Sequence, residues 1–245
     1  MNFNIKTKSD YLELVKYLKT ICKQESIEDK NRHTAILNTR QNVLGIAMAN
    51  IRKIARAICK QNYEEFLQVC LNASYKQEYY EETLIQGLVI AEIKDLEIQK
   101  KYLKIWIKKI DNWSTCDSVV STMKGLKKST DKKDYFEFYY NLCFSDKEFE
   151  SRFGIIVLMT CYLEEDYIDK ILQMCEKVTL DKYYVKMAIA WCLSFAFMKF
   201  KNKTYELFEK RVLDKFTQNK AISKCRDSFQ VEKLDKENLI NFRIK

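Results

Sequence analysis

Apolar residues return at spacings of three and four from Tyr11 to Ile21, from Ile46 to Ile58, from Leu84 to Ile110 and from Phe149 to Leu163, one buried helix face per segment. Cap-forming positions separate the segments: Asn62 ahead of Tyr63, Ser145-Asp146-Lys147-Glu148 in the form of a capping box, and Asp181 ahead of Lys182. The pattern predicts helices of roughly 10 to 18 residues joined by short turns. Three stretches, Tyr80 to Ile93, Phe149 to Leu163 and Tyr183 to Met198, share an aromatic-rich start and a strongly apolar body, which suits the inner row of a curved stack of helix pairs. A bundle remains open beside a solenoid, because the repetition is weak and no TPR or ankyrin pattern is present. With no long linker and no shift of composition, residues 1–245 read as one domain.

Composition removes the alternatives to helix. The chain has no proline and four glycines, so little is available to punctuate hairpins, while 47% apolar residues supply a substantial core. Nine cysteines (Cys22, Cys59, Cys70, Cys116, Cys143, Cys161, Cys175, Cys192 and Cys225) are scattered, mostly within apolar runs, and show no CxxC or CxxH spacing. They are expected to be buried reduced thiols of a cytoplasmic protein, not a disulfide framework or a metal site. The first 25 residues alternate charge with Tyr, Leu and Val, unlike a secretory signal. The most apolar stretch, Met187 to Met198, is 12 residues long, too short to span a bilayer, and no membrane association is expected.

Net charge is the bulk property that points outward. At +9 the chain can gather phosphates by releasing their counterions. Lysine supplies 35 of the 43 basic residues, so a compositional bias accounts for the excess as well as an adapted surface does. Distribution favours a basic C-terminal face, since Lys199 to Lys245 holds 13 basic residues against 7 acidic.

The sole histidine, His33, sits in the polar segment Lys30 to Thr34 and is expected to face solvent. GxSxG, P-loop, HExxH and Gly-rich dinucleotide motifs are absent, so Ser-His and metal-water hydrolases are poor candidates. What remains is one carboxylate among aromatics. In Asp111-Asn112-Trp113-Ser114-Thr115-Cys116-Asp117 a helix would set Trp113 and Asp117 on one face. Phe149-Glu150-Ser151-Arg152-Phe153-Gly154 places an arginine at the start of an apolar helix, and the Tyr183 to Trp191 segment ends on a second tryptophan. Each residue alone also has a structural reading: Trp113 as a packing anchor, Asp117 as a surface acid, Asp111 as a helix cap, Arg152 in a salt bridge to Asp117 or Glu150, and Trp191 in the core.

In their order and context these segments resemble the AlkD-like DNA alkylation repair proteins, DNA glycosylases built from HEAT-like helical repeats, and the resemblance covers most of the chain. It implies an all-α, HEAT-like helical-repeat solenoid that holds duplex DNA in a concave basic groove, monomeric and without an obligate protein partner. It also implies metal-free hydrolysis, with no cofactor, of the N-glycosidic bond of a cationic N3- or N7-alkylated purine, leaving an abasic site. By that likeness Asp117 takes the catalytic carboxylate role, Trp113 and Trp191 form the aromatic cradle, and Arg152 contacts a phosphate. The stretch Asn219 to Ser228 is similar as well, and its Lys220, Lys224 and Arg226 would offer charge to the DNA backbone. One position departs: Trp191-Cys192-Leu193-Ser194 has serine where the active branch carries a basic residue. A non-catalytic HEAT-like module that binds DNA or an acidic protein therefore stands as the second reading.

Overall fold

The computed structural model describes residues 3–22, 27–72 and 78–245. The chain divides into two compact units, residues 1–128 and 129–245. The first carries α1 (Lys8–Cys22), α2 (Ile27–Leu37), α3 (Met48–Cys59), α4 (Tyr63–Cys70), α5 (Tyr80–Ala91), α6 (Leu96–Trp106), α7 (Trp113–Val120) and α8 (Lys124–Lys128). The second carries α9 (Phe136–Leu142), α10 (Glu148–Cys161), α11 (Ile168–Lys177), α12 (Tyr183–Lys199), α13 (Lys201–Lys210), α14 (Lys215–Asp227) and α15 (Lys233–Asn238). The architecture is all-α and of helical-repeat type. Among the described residues the extended pairing is a lone bridge between Asn42 and Tyr79.

Within each unit alternate helices lie side by side, α3 with α5 and α5 with α7 in the first, α10 with α12 and α12 with α14 in the second. Among these, α5, α10 and α12 are the segments whose apolar residues run nearly all round the helix. Every residue of α5 is buried, as are ten residues of α10. Helices that flank the rows are one-sided: α11 buries Ile168, Ile171, Leu172, Met174 and Cys175 and turns Asp169, Lys170 and Gln173 to solvent.

Buried side-chain amides close the helix ends that these rows bury. The Gln99 amide donates to the carbonyls of Ile90 (3.1 Å), Ala91 (3.3 Å) and Ile93 (3.1 Å) at the end of α5. Gln218 donates to the carbonyls of Phe208 (2.9 Å) and Phe242 (2.6 Å). Each satisfies acceptors that a buried helix terminus would otherwise leave unmade. Gly154 allows α10 to approach α9 closely, since a β-carbon there would stand 2.7 Å from the Tyr139 carbonyl oxygen and 2.8 Å from the Cys143 amide nitrogen.

Two expected caps differ. Asn62 does cap α4, accepting from the Glu65 N–H at 3.3 Å. The Ser145–Glu148 capping box does not form: α10 starts at Glu148 behind Lys147, and the Ser145 hydroxyl accepts from the Lys147 N–H and bonds Glu150 instead. Asp181 pairs with Lys186 at 2.7 Å ahead of α12, whose N-cap is Lys182. The competing partner in each case is a neighbouring side chain, which the local pattern does not reveal. All nine cysteines are free, Cys59 half-buried and the rest buried. Among the described residues no helix is long and apolar enough to cross a membrane, and no cluster of three His, Cys, Asp or Glu could hold a metal ion. The side chain of His33 lies outside the described residues.

Candidate functional site

The Trp113 segment is a helix, as the spacing requires. Asn112, in extended backbone, caps α7 by accepting from the Thr115 N–H at 2.9 Å. Asp111 is thereby released from the capping role. α7 buries Thr115, Cys116, Val119 and Val120 and leaves Trp113, Ser114, Asp117 and Ser118 on the opposite, half-exposed side. Trp113 and Asp117 therefore share one face, one turn apart and about 6 Å along the axis.

The loop between α2 and α3, residues 38–47, holds this helix from outside. It leaves α2 through Asn38 in the left-handed region (φ 50°), a conformation asparagine tolerates. Its Thr39 hydroxyl bonds both oxygens of Asp111 (2.7 and 2.9 Å), and the Arg40 N–H donates to Asp111 at 2.7 Å. Further along, the buried carboxylate of Glu81 accepts from the N–H groups of Leu44 (3.1 Å), Gly45 (2.7 Å) and Ile46 (3.3 Å). Burial raises the Glu81 pKa above the ordinary glutamate value, while the three N–H donors oppose that shift. At the end of α2 the Ile36 carbonyl accepts from the Trp113 indole N–H at 3.0 Å, which fixes the ring's orientation. Tyr80, its phenol pushed up to about 12 by burial, bonds the Ser114 hydroxyl at 3.0 Å. Trp113 thus forms one wall of a cavity of about 260 Å³, lined also by Val43, Ile46, Met48, Tyr80 and Leu84.

In the second unit Arg152 enters α10 at its first turn and is only 5% exposed. Its Nη1 donates to the Tyr184 carbonyl at 2.8 Å, and its guanidinium lies 6.0 Å from the Tyr184 ring centroid. Arg152 is therefore a buried charge anchored to the start of α12. Lys220 and Lys224 stand one turn apart on α14. Lys224 has its pKa lowered, first by burial and then by the positive charges of Lys220 and Arg152, so these three cations sense one another. Arg226 falls on another side of α14, with its Nε buried and without a protein hydrogen-bond partner. Trp191 is half-buried and meets Phe195 edge-on at 6.0 Å. Ser194 is 4% exposed and donates its hydroxyl to the Trp191 carbonyl at 2.7 Å, so it is satisfied within its own helix. Sequence reasoning missed Glu81 and the Thr39–Asp111 latch, both of which act on loop residues far away along the chain.

Residues 16–208 match the family model of the DNA alkylation repair enzymes. The chain belongs to this family. The matched span includes α7 with Trp113 and Asp117, the Arg152 helix and Trp191; Lys220, Lys224 and Arg226 lie beyond it. No curated protein and no solved structure matches the chain. Family membership sets the protein's task as the repair of alkylated DNA, by an enzyme of the DNA alkylation repair class.

Proposed function

We propose that the protein is a metal-free DNA glycosylase that removes cationic N3- or N7-alkylated purines from duplex DNA, taking the whole chain as one functional, monomeric domain. The observation that carries this reading is the pairing of Trp113 and Asp117 on the half-exposed side of α7, with the indole held by the Ile36 carbonyl. Alkylation at N3 or N7 leaves the purine positively charged, so the base departs as a neutral molecule without a general acid. Cleavage of the C1′–N bond leaves positive charge on the sugar, which the Asp117 carboxylate stabilises while it orients water. The water oxygen adds to C1′ and its proton passes to solvent, giving an abasic site. Trp113 attracts the cation and packs on the sugar through its ring face, the role that the family likeness also gives Trp191. Arg152, Lys220 and Lys224 supply charge to the phosphates of the duplex, and Arg226 stands on another side of α14.

One observation favours a non-catalytic DNA- or protein-binding module as the second reading. Ser194, at the position where a basic residue is expected, is covered and bonded to Trp191, so it has no charge to offer a phosphate. Product analysis separates the two. Duplex DNA carrying N7-methylguanine, incubated with the protein and a metal chelator, should yield the free intact base and an abasic site; tight binding without base release would support the module instead.

A further inference from the structure

We infer that the start of α10, α12 and α14 forms a stacking platform for the unpaired bases of a single DNA strand, a binding activity that does not require the Asp117 chemistry. Four rings run in unbroken contact across these three helices. Phe149 of α10 lies 5.3 Å from Tyr184 of α12, Tyr184 lies 5.1 Å from Tyr183, and Tyr183 lies 6.0 Å from Phe216 of α14. The inner pair, Phe149 and Tyr184, is half-buried and the outer pair is open: Tyr183 is 57% exposed and Phe216 41% exposed. Rings that served only as packing anchors would be covered, and a tyrosine that is more than half exposed gains little from burial.

Positive charge surrounds the open end. Lys215, Lys220 and Arg243 line a shallow depression of about 500 Å³ with Phe216. Among the described residues Lys215, Lys220, Lys224 and Arg243 enter no ion pair, Asp227 offsets part of the charge at Lys224, and the acids beside the rings are engaged. Asp214 caps α14 and meets Lys186 at 3.4 Å, and Glu148 accepts the Tyr184 N–H at 2.9 Å. Lys224 has its pKa lowered first by burial and then by the neighbouring charges of Lys220 and Arg152.

The chemistry selects the strand type. Paired bases in a duplex are stacked on one another and present only their edges in the grooves, so an aromatic face has nothing to stack on. Exposed rings beside unpaired cations fit a strand whose bases are free, where stacking supplies sequence-tolerant affinity and the phosphates supply a salt-dependent component.

The test measures anisotropy of a labelled 12-nucleotide single-stranded pyrimidine oligonucleotide and of a duplex of the same length, each over the same series of salt concentrations. Tyr183→Ala and Phe216→Ala should each weaken single-strand binding roughly fivefold or more, with duplex affinity changed less than about twofold. Tyr183→Phe should bind like wild type and Tyr183→Leu like Tyr183→Ala, because the ring face is what counts. The variants should keep the wild-type salt slope, and Lys220→Ala should lower it. No single-strand binding by the wild type, unchanged affinity in the ring variants, or equal losses for both DNA forms would overturn the inference. Base release from alkylated duplex is scored separately with Asp117→Asn, so failure of the platform and failure of the glycosylase reading give different results.

Discussion

Two glycines in helices should respond to the same substitution with opposite signs. Alanine is favoured over glycine in a helix by about 1 kcal/mol, so propensity alone would make both Gly154→Ala and Gly125→Ala stabilising. At Gly154 the added β-carbon would meet the Tyr139 carbonyl oxygen at 2.7 Å, the Cys143 amide nitrogen at 2.8 Å and the Cys143 sulfur at 3.0 Å. Two of these atoms are backbone of α9 and its end, so α10 must move as a body instead of one side chain turning aside. Overpacking of that kind costs about 1–3 kcal/mol, and contact with two backbone atoms puts it in the upper part of that range, so a net loss of up to about 2 kcal/mol is left after the propensity gain. At Gly125 the nearest atom is the Ile93 carbonyl oxygen at 3.9 Å, an ordinary contact, and a gain of about 0.5–1 kcal/mol remains. For a chain of this size each kcal/mol moves the melting temperature by about 2–4 °C, so the two variants should separate by several degrees in thermal denaturation followed by circular dichroism. Gly154→Ala should also reduce DNA affinity, since Arg152 rides on the displaced helix. A rise in melting temperature for Gly154→Ala would refute the close approach of α10 to α9.

Other perturbations probe the support of α7 and the thiols. Asp111→Ala removes the acceptor of the Thr39 hydroxyl and the Arg40 N–H, which should cost about 1–3 kcal/mol by urea denaturation and slow base release without altering the far-ultraviolet circular dichroism. Glu81 holds its proton more tightly in the fold than in the unfolded chain, because burial raises its pKa above the ordinary 4.5. Its contribution to stability is then fully present below about pH 4.5 and is lost as pH rises through the raised folded value, so wild-type stability measured against Glu81→Gln should fall across that window; a rise would contradict the assignment. Cys59 and Cys225, both pushed up to about 12 by burial, should resist iodoacetamide at neutral pH in the native protein and react readily in denaturant, as mass spectrometry of the alkylated chain would show.

The helical rhythm made most of the fold legible. Tyr80 to Ile93, Phe149 to Leu163 and Tyr183 to Met198 stand out as apolar all round because α5, α10 and α12 are enclosed by neighbours, and their bounds agree within about two residues. The pairing of Trp113 with Asp117 was legible too, because it depends only on helical spacing. What supports that pair was not. Asp111 acts on Thr39 across 72 positions and Glu81 on Leu44, Gly45 and Ile46 across 35 to 37, and no local pattern encodes such partners. The Ser145–Glu148 box failed for a related reason: its hydroxyl had two other bonds available within five residues. On α14, the family likeness groups Lys220, Lys224 and Arg226, and the helix sets Arg226, two positions beyond Lys224, on another side.

Asp117 is proposed to stabilise the sugar cation that forms as the alkylated base leaves. Single-turnover release of N7-methylguanine from duplex DNA, with enzyme in excess, tests this directly when wild type is compared with Asp117→Asn and Asp117→Ala. Base release by the wild type is expected, with a loss of at least about a hundredfold in both variants and with DNA affinity and melting temperature retained. Release at the wild-type rate by either variant, or none from folded wild type that binds the duplex, would contradict it.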